Sequence, residues 1–430
     1  MFTHRKCLSG CSGYSFQAFF FYSSALELGV ISPFLGGGVG LFNALTFSIL
    51  FPVVVFTSRH LRGKSLAYFI LFFGLLLYAL FYLVFHYFFG TSVHQKPDVI
   101  MQWLILILSW GAIFSIGYFW PKQLSNLGIS VLVVMLCIMS ALVILNPHPD
   151  PSTLLTSLGR YQSITEDWSS DDFLSYQGYG RSMSVTGLVV IAIVRRQFMF
   201  WVMSGIYLTA LFLIGSRSDL LGVLLVFPIL VIYQFVESPK ITVLILTVTI
   251  ATLSVFVFTH YDDLSVKRQK ELFNLSESAS FQARMVNNKK ALEAIKKNPI
   301  VGDFSGHAYN ETYQCYWWET KHVGYFDGHA YIRSGLGHYA HNLLSSWRQL
   351  GLIGFLLYST LMVWPVIGTF HVLVKNPDLL QVDIWRVTGV ISIFMLLLAL
   401  GAKSIFSPVL ALSWGIFIAA IKQKESIENY

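Results

Sequence analysis

Residues 66–89 read LAYFILFFGLLLYALFYLVFHYFF and contain no lysine, arginine, aspartate or glutamate. A helix needs roughly 20 apolar residues to cross a hydrocarbon layer about 30 Å thick, so this run is predicted to span a membrane. Comparable runs recur along the 430 residues, of which 55% are apolar and 12% charged. Because a typical soluble domain has about 25% charged residues, the sequence predicts an all-α polytopic membrane protein.

The chain is predicted to contain about twelve transmembrane helices. Basic residues are concentrated in alternate short connections, and the positive-inside rule places these connections and both termini in the cytoplasm. The predicted spans lie at 14–33, 36–57, 66–89, 101–120, 126–145, 181–195, 198–215, 218–236, 241–259, 344–370, 384–404 and 407–421. Residues 176–180 would either extend the sixth span or enter the membrane.

This topology divides the chain into three parts. Residues 1–259 hold nine spans and a short outer loop at 146–180, residues 260–348 form a long outer loop, and residues 349–430 hold the last three spans and the cytoplasmic C-terminus. The long loop is predicted to contain short helices. Much of the +7 net charge lies in short cytoplasmic turns, and the loop itself is nearly neutral, so no nucleic-acid groove is indicated.

The sequence Gly215-Ser216-Arg217-Ser218-Asp219 separates the seventh and eighth predicted spans on the outer side. Ser216 or Ser218 can cap the eighth span, whose free backbone N–H groups would combine with Arg217 to form a site for an anion such as phosphate. The simpler interpretation is an arginine that extends from a helix end to the membrane surface.

An amphipathic helix is predicted from about Ser280 to Asn298, where Pro299 stops it. Arg284 and Asn288 lie at the edge of its apolar stripe, so Arg284 is predicted to face inward; a structural ion pair with Asp303 is the alternative. The apolar stripe consists of Phe281, Met285, Leu292 and Ile295. The side predicted to be solvated consists of Lys289, Lys290, Glu293, Lys296 and Lys297.

His341 and Asn342 lie where the long loop returns to the membrane. Asn342 suits the N-cap of the next helix, which would hold His341 beside a positive helix end and favour its neutral form. A neutral imidazole can accept a proton. Position alone does not separate His341 from the other loop histidines, and their spacing matches no metal motif, so no metal site is predicted. Those histidines are His307, His322, His329 and His338.

These motifs, taken in order, resemble the bacterial O-antigen ligase and polymerase superfamily. The resemblance extends from about Gly205 to Leu361: Gly-Ser-Arg-Ser at a helix junction, an outer arginine followed by Asn298-Pro299 and Gly302, then His-Asn-Leu and Gly351-Leu352-Ile353-Gly354. The family's Gly-x-Gly is here Gly302-Asp303-Phe304, which departs from the pattern. Residues 307–339 match nothing in the family.

The resemblance implies a glycosyltransferase of GT-C-like membrane fold in the bacterial inner membrane, with its active site facing the periplasm. The donor would be an oligosaccharide on undecaprenyl pyrophosphate, the acceptor a glycolipid, and no cofactor or metal would be required. A chain-length regulator would be a further partner, besides the membrane lipids. The catalytic residues implied are Arg217, Arg284 and His341, and the weaker candidates for substrate binding are Arg160, Arg181, Tyr176, Gln177, Tyr339, Asn342, Ser216 and Ser218.

Three functions remain open at this point. A ligase that docks phosphate-rich lipid A core should have a basic outer surface, whereas this loop is nearly neutral, and Tyr-Gln-Gly-Tyr-Gly-Arg at 176–181 is similar to surface-polysaccharide polymerases. Polymerase is therefore favoured over O-antigen ligase. A transporter or lipid flippase is the alternative of another class, although the spans hold few of the midplane charges usual in carriers.

Overall fold

The computed structural model describes residues 39–90, 97–119, 126–144, 176–214, 217–237, 288–302 except Lys290, 313–317, 329–333, 342–375, 379, 382–401 and 408–428. These residues form ten long helices, a short helix and a two-stranded hairpin. Seven long helices precede the predicted outer loop: α1 (Val39–Ser58), α2 (Gly63–Phe89), α3 (Pro97–Phe119), α4 (Asn126–Ile144), α5 (Tyr176–Ile193), α6 (Gln197–Ile214) and α7 (Arg217–Glu237). Three follow it: α8 (Leu344–Lys375), α9 (Asp383–Gly401) and, after a 3-10 turn at Pro408–Leu410, α10 (Ala411–Glu428).

Ten of the twelve predicted spans coincide with these helices, and the spans at 14–33 and 241–259 lie outside the described residues. The extension of the sixth span is confirmed, because α5 begins at Tyr176. By length and composition, three helices among the described residues can cross a membrane, namely α2, α8 and α9, and several shorter apolar helices accompany them. The coarse prediction of a helical membrane protein is thus supported, whereas the number of spans stays a prediction.

Helices α3 and α10 form the centre of the bundle. Helix α3 also packs against α1 and α2. Helix α9 packs against four helices, namely α5, α7, α8 and α10. Helices α4 and α6 pack against α5. The central pair approaches closely because Gly117 and Gly415 face the partner backbone: a Cβ on Gly117 would lie 2.5 Å from the Leu412 carbonyl oxygen. Small residues permit such close helix packing in membranes.

One end of the bundle, called the basic end below, gathers the turns that the sequence predicts to be cytoplasmic. Lys422 Nζ of α10 donates to the Tyr118 hydroxyl of α3 at 3.0 Å, and the Ser65 hydroxyl of α2 donates to Glu425 Oε2 of α10 at 2.6 Å. Arg195, after α5, pairs with Asp383 of α9 at 2.9 Å. The predicted alternation of turns therefore agrees with the packing.

Two elements are described within the long loop. Residues 288–289 and 291–297 are helical and are called the loop helix below. Strands β1 (Tyr313–Trp317) and β2 (His329–Arg333) pair antiparallel, with Cys315 opposite Tyr331. The described part of the chain is otherwise helical, in agreement with the all-α prediction. The hairpin adds extended structure that the sequence did not predict, and its strands are rich in the aromatic residues that favour such structure.

Candidate functional site

The predicted site residues are described to different extents. Tyr176, Gln177 and Arg217 are placed by their helical backbone only, while Arg181, Ser218 and Asn342 are described with their side chains. The remaining predicted residues lie outside the described part of the chain: Arg160, Ser216, Arg284, Tyr339 and His341.

Helix directions bring three of these residues to the same end of the bundle. Helix α5 ends at the basic end, where Arg195 pairs with Asp383, and α6 starts there. The start of α5 therefore lies at the opposite end, and so does the start of α7, which follows the end of α6. Helix α8 ends at the basic end with Lys375. The charge of Lys375 acts on His371 of α8, and so do the charges of Lys64 of α2 and Lys424 of α10. Arg181, Arg217 and Asn342 therefore all lie at the end away from the basic turns.

Asn342 connects the start of α8 to the loop helix. Its Oδ1 accepts from the Leu344 backbone N–H at 3.0 Å, and its carbonyl oxygen accepts from the Ser345 N–H at 3.0 Å. This confirms the predicted cap. Its Nδ2 donates to Asn288 Oδ1 at 3.2 Å. Because both ends of the amide bind inside the protein, Asn342 is suited to positioning more than to contacting a sugar.

The buried face of the loop helix agrees with the predicted apolar stripe at Ile295 and differs from it at Leu292. Ala291 and Ile295 are buried and Asn288 is half-buried on the same side, whereas Leu292, predicted for the apolar stripe, is exposed. Residues at positions i, i+3 and i+7 share a helix face, which explains the set 288, 291 and 295. The predicted solvated side is exposed where it is described: Lys289, Glu293, Lys296 and Lys297.

The end of the loop helix packs on the first part of α8 through two glycines. Gly302 and Gly351 have φ angles of 70° and 68°, which L side chains rarely adopt. A Cβ on Gly302 would lie 2.6 Å from the Arg348 carbonyl oxygen, and one on Gly351 would overlap the Ile300 carbonyl oxygen. The two backbones can be this close only because neither residue has a side chain.

Two hydrogen bonds fix this contact. The Leu352 N–H donates to the Ile300 carbonyl oxygen at 3.0 Å, and Trp347 Nε1 donates to the Pro299 carbonyl oxygen at 2.8 Å. The contacts of residues 288–302 with residues 342–354 are called the junction below. They join the segment that follows Arg284 to the segment that follows His341.

Gly351 also interrupts α8, which the sequence predicts to be continuous. The hydroxyl of Tyr78, from α2, donates to the Leu350 carbonyl oxygen at 2.8 Å and is hydrogen-bonded to the Gly354 backbone. In a regular helix the Gly354 N–H would donate directly to the Leu350 carbonyl oxygen. The Tyr78 hydroxyl therefore lies between these two groups and replaces one backbone hydrogen bond of the helix. Residues 344–350 therefore form a separate turn held by α2 and by the loop helix.

Buried charges accompany the predicted residues, and two of them, Asp219 and Arg348, were not predicted as candidates. Asp219, in the first turn of α7, and Arg348, in residues 344–350, are 0% and 1% exposed, and Arg181 of α5 is 4% exposed. Polar residues inside an otherwise apolar span are a sequence signal for function, and this signal could have identified Arg348.

Ser218 does not cap α7, contrary to one of the two predictions. Helix α7 begins at Arg217, so Ser218 lies inside its first turn and the cap position falls on Ser216, outside the described residues. Asp219 occupies the third helical position, where a carboxylate already complements the positive helix end. Anion binding at this end would therefore depend mainly on the Arg217 side chain.

Comparison with known proteins gives this chain no family. No protein-family model matches it, and no curated protein matches it. The functional assignment must come from the sequence motifs and the geometry that connects them.

Proposed function

We propose that the protein is a surface-polysaccharide (O-antigen) polymerase, a multi-pass glycosyltransferase that extends a lipid-linked glycan. It transfers the glycan from undecaprenyl pyrophosphate to a sugar of a second lipid-linked repeat, with inversion and without a metal or cofactor. On this proposal the chain has about twelve spans and a GT-C-like fold in the bacterial inner membrane. Its active site faces the periplasm, and a chain-length regulator is a candidate partner.

The junction is the observation that carries the proposal. The Asn298-Pro299…Gly302 motif and the Gly351…Gly354 motif are separated by almost fifty positions, yet their glycines pack against each other. Two motifs noted only for their order are thus physical partners. This supports the view that the ordered set forms one site.

The face of the loop helix supports the inclusion of Arg284. Asn288, Ala291 and Ile295 form the side turned towards the protein. If the helix begins near Ser280, as the sequence predicts, Arg284 lies one turn before Asn288 on this face. This face is the one that Asn288 turns towards Asn342, at 3.2 Å, at the start of α8.

The proposed reaction breaks the bond between the anomeric carbon and the pyrophosphate oxygen and forms a bond from that carbon to the acceptor oxygen. The departing pyrophosphate gains negative charge, which the guanidinium groups of Arg217 and Arg284 would stabilise. The proton of the acceptor hydroxyl would pass to the neutral imidazole of His341. Attack opposite to the leaving group inverts the anomeric centre.

The buried charged residues and Arg217 are proposed to have different roles. Arg181 and Asp219 lie in packed helices and interact within the protein, so they are suited to holding α5 and α7 in place. Arg217, at the first position of α7, is left as the proposed pyrophosphate ligand on that helix. The other proposed contacts to the donor or acceptor are Arg160, Tyr176, Gln177, Tyr339, Ser216 and Ser218.

Single substitutions test the mechanism. Arg217→Ala, Arg284→Ala and His341→Ala should each lower glycan transfer by about 100-fold or more, because a transition-state charge partner or a general base is removed. Arg196→Ala, an exposed arginine at the basic end, is the control and should retain activity. Transfer is measured as chain extension on gels at matched protein levels, with and without EDTA.

Near-normal extension in an arginine variant would refute the pyrophosphate role, and near-normal turnover in His341→Ala would refute the base. Loss of activity in EDTA with rescue by a divalent cation would contradict the metal-free reaction. If transfer occurs only to lipid A core, the protein is the ligase; movement of lipid without transfer would indicate a flippase.

A further inference from the structure

Basic side chains from three helices converge at one corner of the basic end. Lys64 lies in the first turn of α2, Lys375 at the end of α8 and Lys424 near the end of α10. The Ser65 N–H and hydroxyl donate to Glu425, which places the start of α2 against the end of α10, and the charges of all three lysines act on His371 of α8. This group is called the lysine corner below.

Packing contacts hold α2, α8 and α10 side by side. The Tyr68 hydroxyl of α2 donates to the Leu361 carbonyl oxygen of α8, and the Tyr68 ring contacts Phe417 of α10 edge-on at 5.0 Å between centroids. The three lysines therefore belong to helices that pack against one another.

Glu425, which follows Lys424 in α10, is bound to the start of α2. Glu425 Oε2 accepts from the Ser65 hydroxyl at 2.6 Å, and Oε1 accepts from the Ser65 N–H at 3.4 Å. A carboxylate at a helix N-terminus stabilises the helix dipole. Among the described side chains, the three lysines of the corner outnumber this glutamate, so the corner has a positive excess.

An exposed apolar face continues from the corner along α8 towards the middle of the helix. Ile367, Phe370 and Val374 are 62%, 70% and 65% exposed. They are spaced three or four residues apart and lie beside His371 and Lys375, so apolar and basic side chains form adjacent stripes. A ligand that fits both stripes has an anionic head and an apolar chain.

We propose that the lysine corner and the exposed stripe Ile367, Phe370 and Val374 form a binding site for an anionic phospholipid. The headgroup phosphate is held by Lys64, Lys375 and Lys424, and an acyl chain lies along α8. Basic pockets between membrane helices recognise anionic headgroups in this way. The site lies at the end opposite to the proposed glycosyltransferase site and does not depend on that function.

The test measures lipid binding by the full-length protein in a neutral detergent. Phosphatidylglycerol or phosphatidylcholine with the same acyl chains is titrated in, and bound lipid is counted by native mass spectrometry. Wild-type protein should bind phosphatidylglycerol more tightly. The double variant Lys64→Gln/Lys375→Gln should lose roughly thirtyfold in affinity, about fivefold for each lysine.

A charge-matched control distinguishes the site from general attraction. Arg59→Gln/Arg196→Gln removes two exposed positive charges from the same end but from other turns, and should leave the affinity nearly unchanged. Lys64→Arg/Lys375→Arg should retain binding, which separates loss of charge from loss of folding.

Equal losses in the two glutamine variants, or equal binding of both lipids by the wild type, would overturn the proposal. Loss of binding in the arginine variant would also overturn it. If soluble glycerol 3-phosphate displaces phosphatidylglycerol from the protein, the ligand of the site is a free phosphate ester and not a lipid, which would also overturn the proposal.

Discussion

At the residue scale, a few side chains and two glycines determine whether distant segments meet. Asn342 uses one amide to cap α8 and to bind Asn288, and Gly351 admits the Ile300 carbonyl oxygen where any side chain would overlap it. These contacts fix the backbone beside His341 and after Arg284. Preorganisation of this kind is what electrostatic and general-base catalysis require.

Substitution of Asn342 separates its two bonds. Asn342→Asp keeps an oxygen that caps α8 but loses the donor to Asn288, whereas Asn342→Ala loses both and should cost about 0.5–2 kcal/mol from the cap alone. Unfolding of purified protein on heating should therefore rank wild type above Asp and Asp above Ala.

The Asn288 partner supplies the control for this series. In an Asn288→Ala background, Asn342→Asp should cause little further loss of stability because the bond is already gone. An undiminished loss in that background would show that the bond between the two asparagines does not hold the junction together.

At the element scale, helix existence was predictable and helix continuity was not. Long apolar runs such as Gly63–Phe89 identify helices because hydrocarbon leaves no other partner for the backbone. The break at Gly351 depends on Tyr78 of α2 and Ile300 of the loop, both remote in sequence. Local periodicity contains no information about such partners.

The loop shows the same distinction. The stop of the loop helix before Pro299 and the cap at Asn342 follow from local chemistry and were predicted correctly. The exposed position of Leu292 and the hairpin of β1 and β2 were not predicted. Ala291 is buried and Leu292 is not because the contact of Asn288 with Asn342 turns the face of Asn288, Ala291 and Ile295 towards the protein.

Gly351→Ala tests the break in α8. The added Cβ meets the Ile300 carbonyl oxygen, and the backbone conformation of Gly351 (φ 68°, ψ −172°) is essentially restricted to glycine, so a non-glycine residue there costs about 1–3 kcal/mol. Glycan transfer should fall and the protein should unfold at lower temperature. Gly74→Ala, in α2 with open space around the new Cβ, is the matched control and should retain both. Full activity in Gly351→Ala would show that the junction does not position the site.

At the scale of the whole molecule, charge and packing divide the bundle into two ends. The basic end holds the Arg195 and Asp383 pair and the lysine corner, while the starts of α5, α7 and α8 lie at the other end. The positive-inside rule predicted this division from the sequence. Which candidate residues touch one another at the far end could not be predicted, because such contacts depend on helix packing and on loop residues distant in sequence.

The central claim is that this bundle polymerises lipid-linked glycan, and reconstitution tests it most directly. Purified protein in liposomes is incubated with an undecaprenyl-pyrophosphate-linked repeat alone, and in parallel with lipid A core added. A ladder of products spaced by one repeat in the first incubation is the predicted result. Product formed only with lipid A core would contradict polymerisation in favour of ligation, and no transfer in either incubation, from protein shown to be folded, would contradict the glycosyltransferase function.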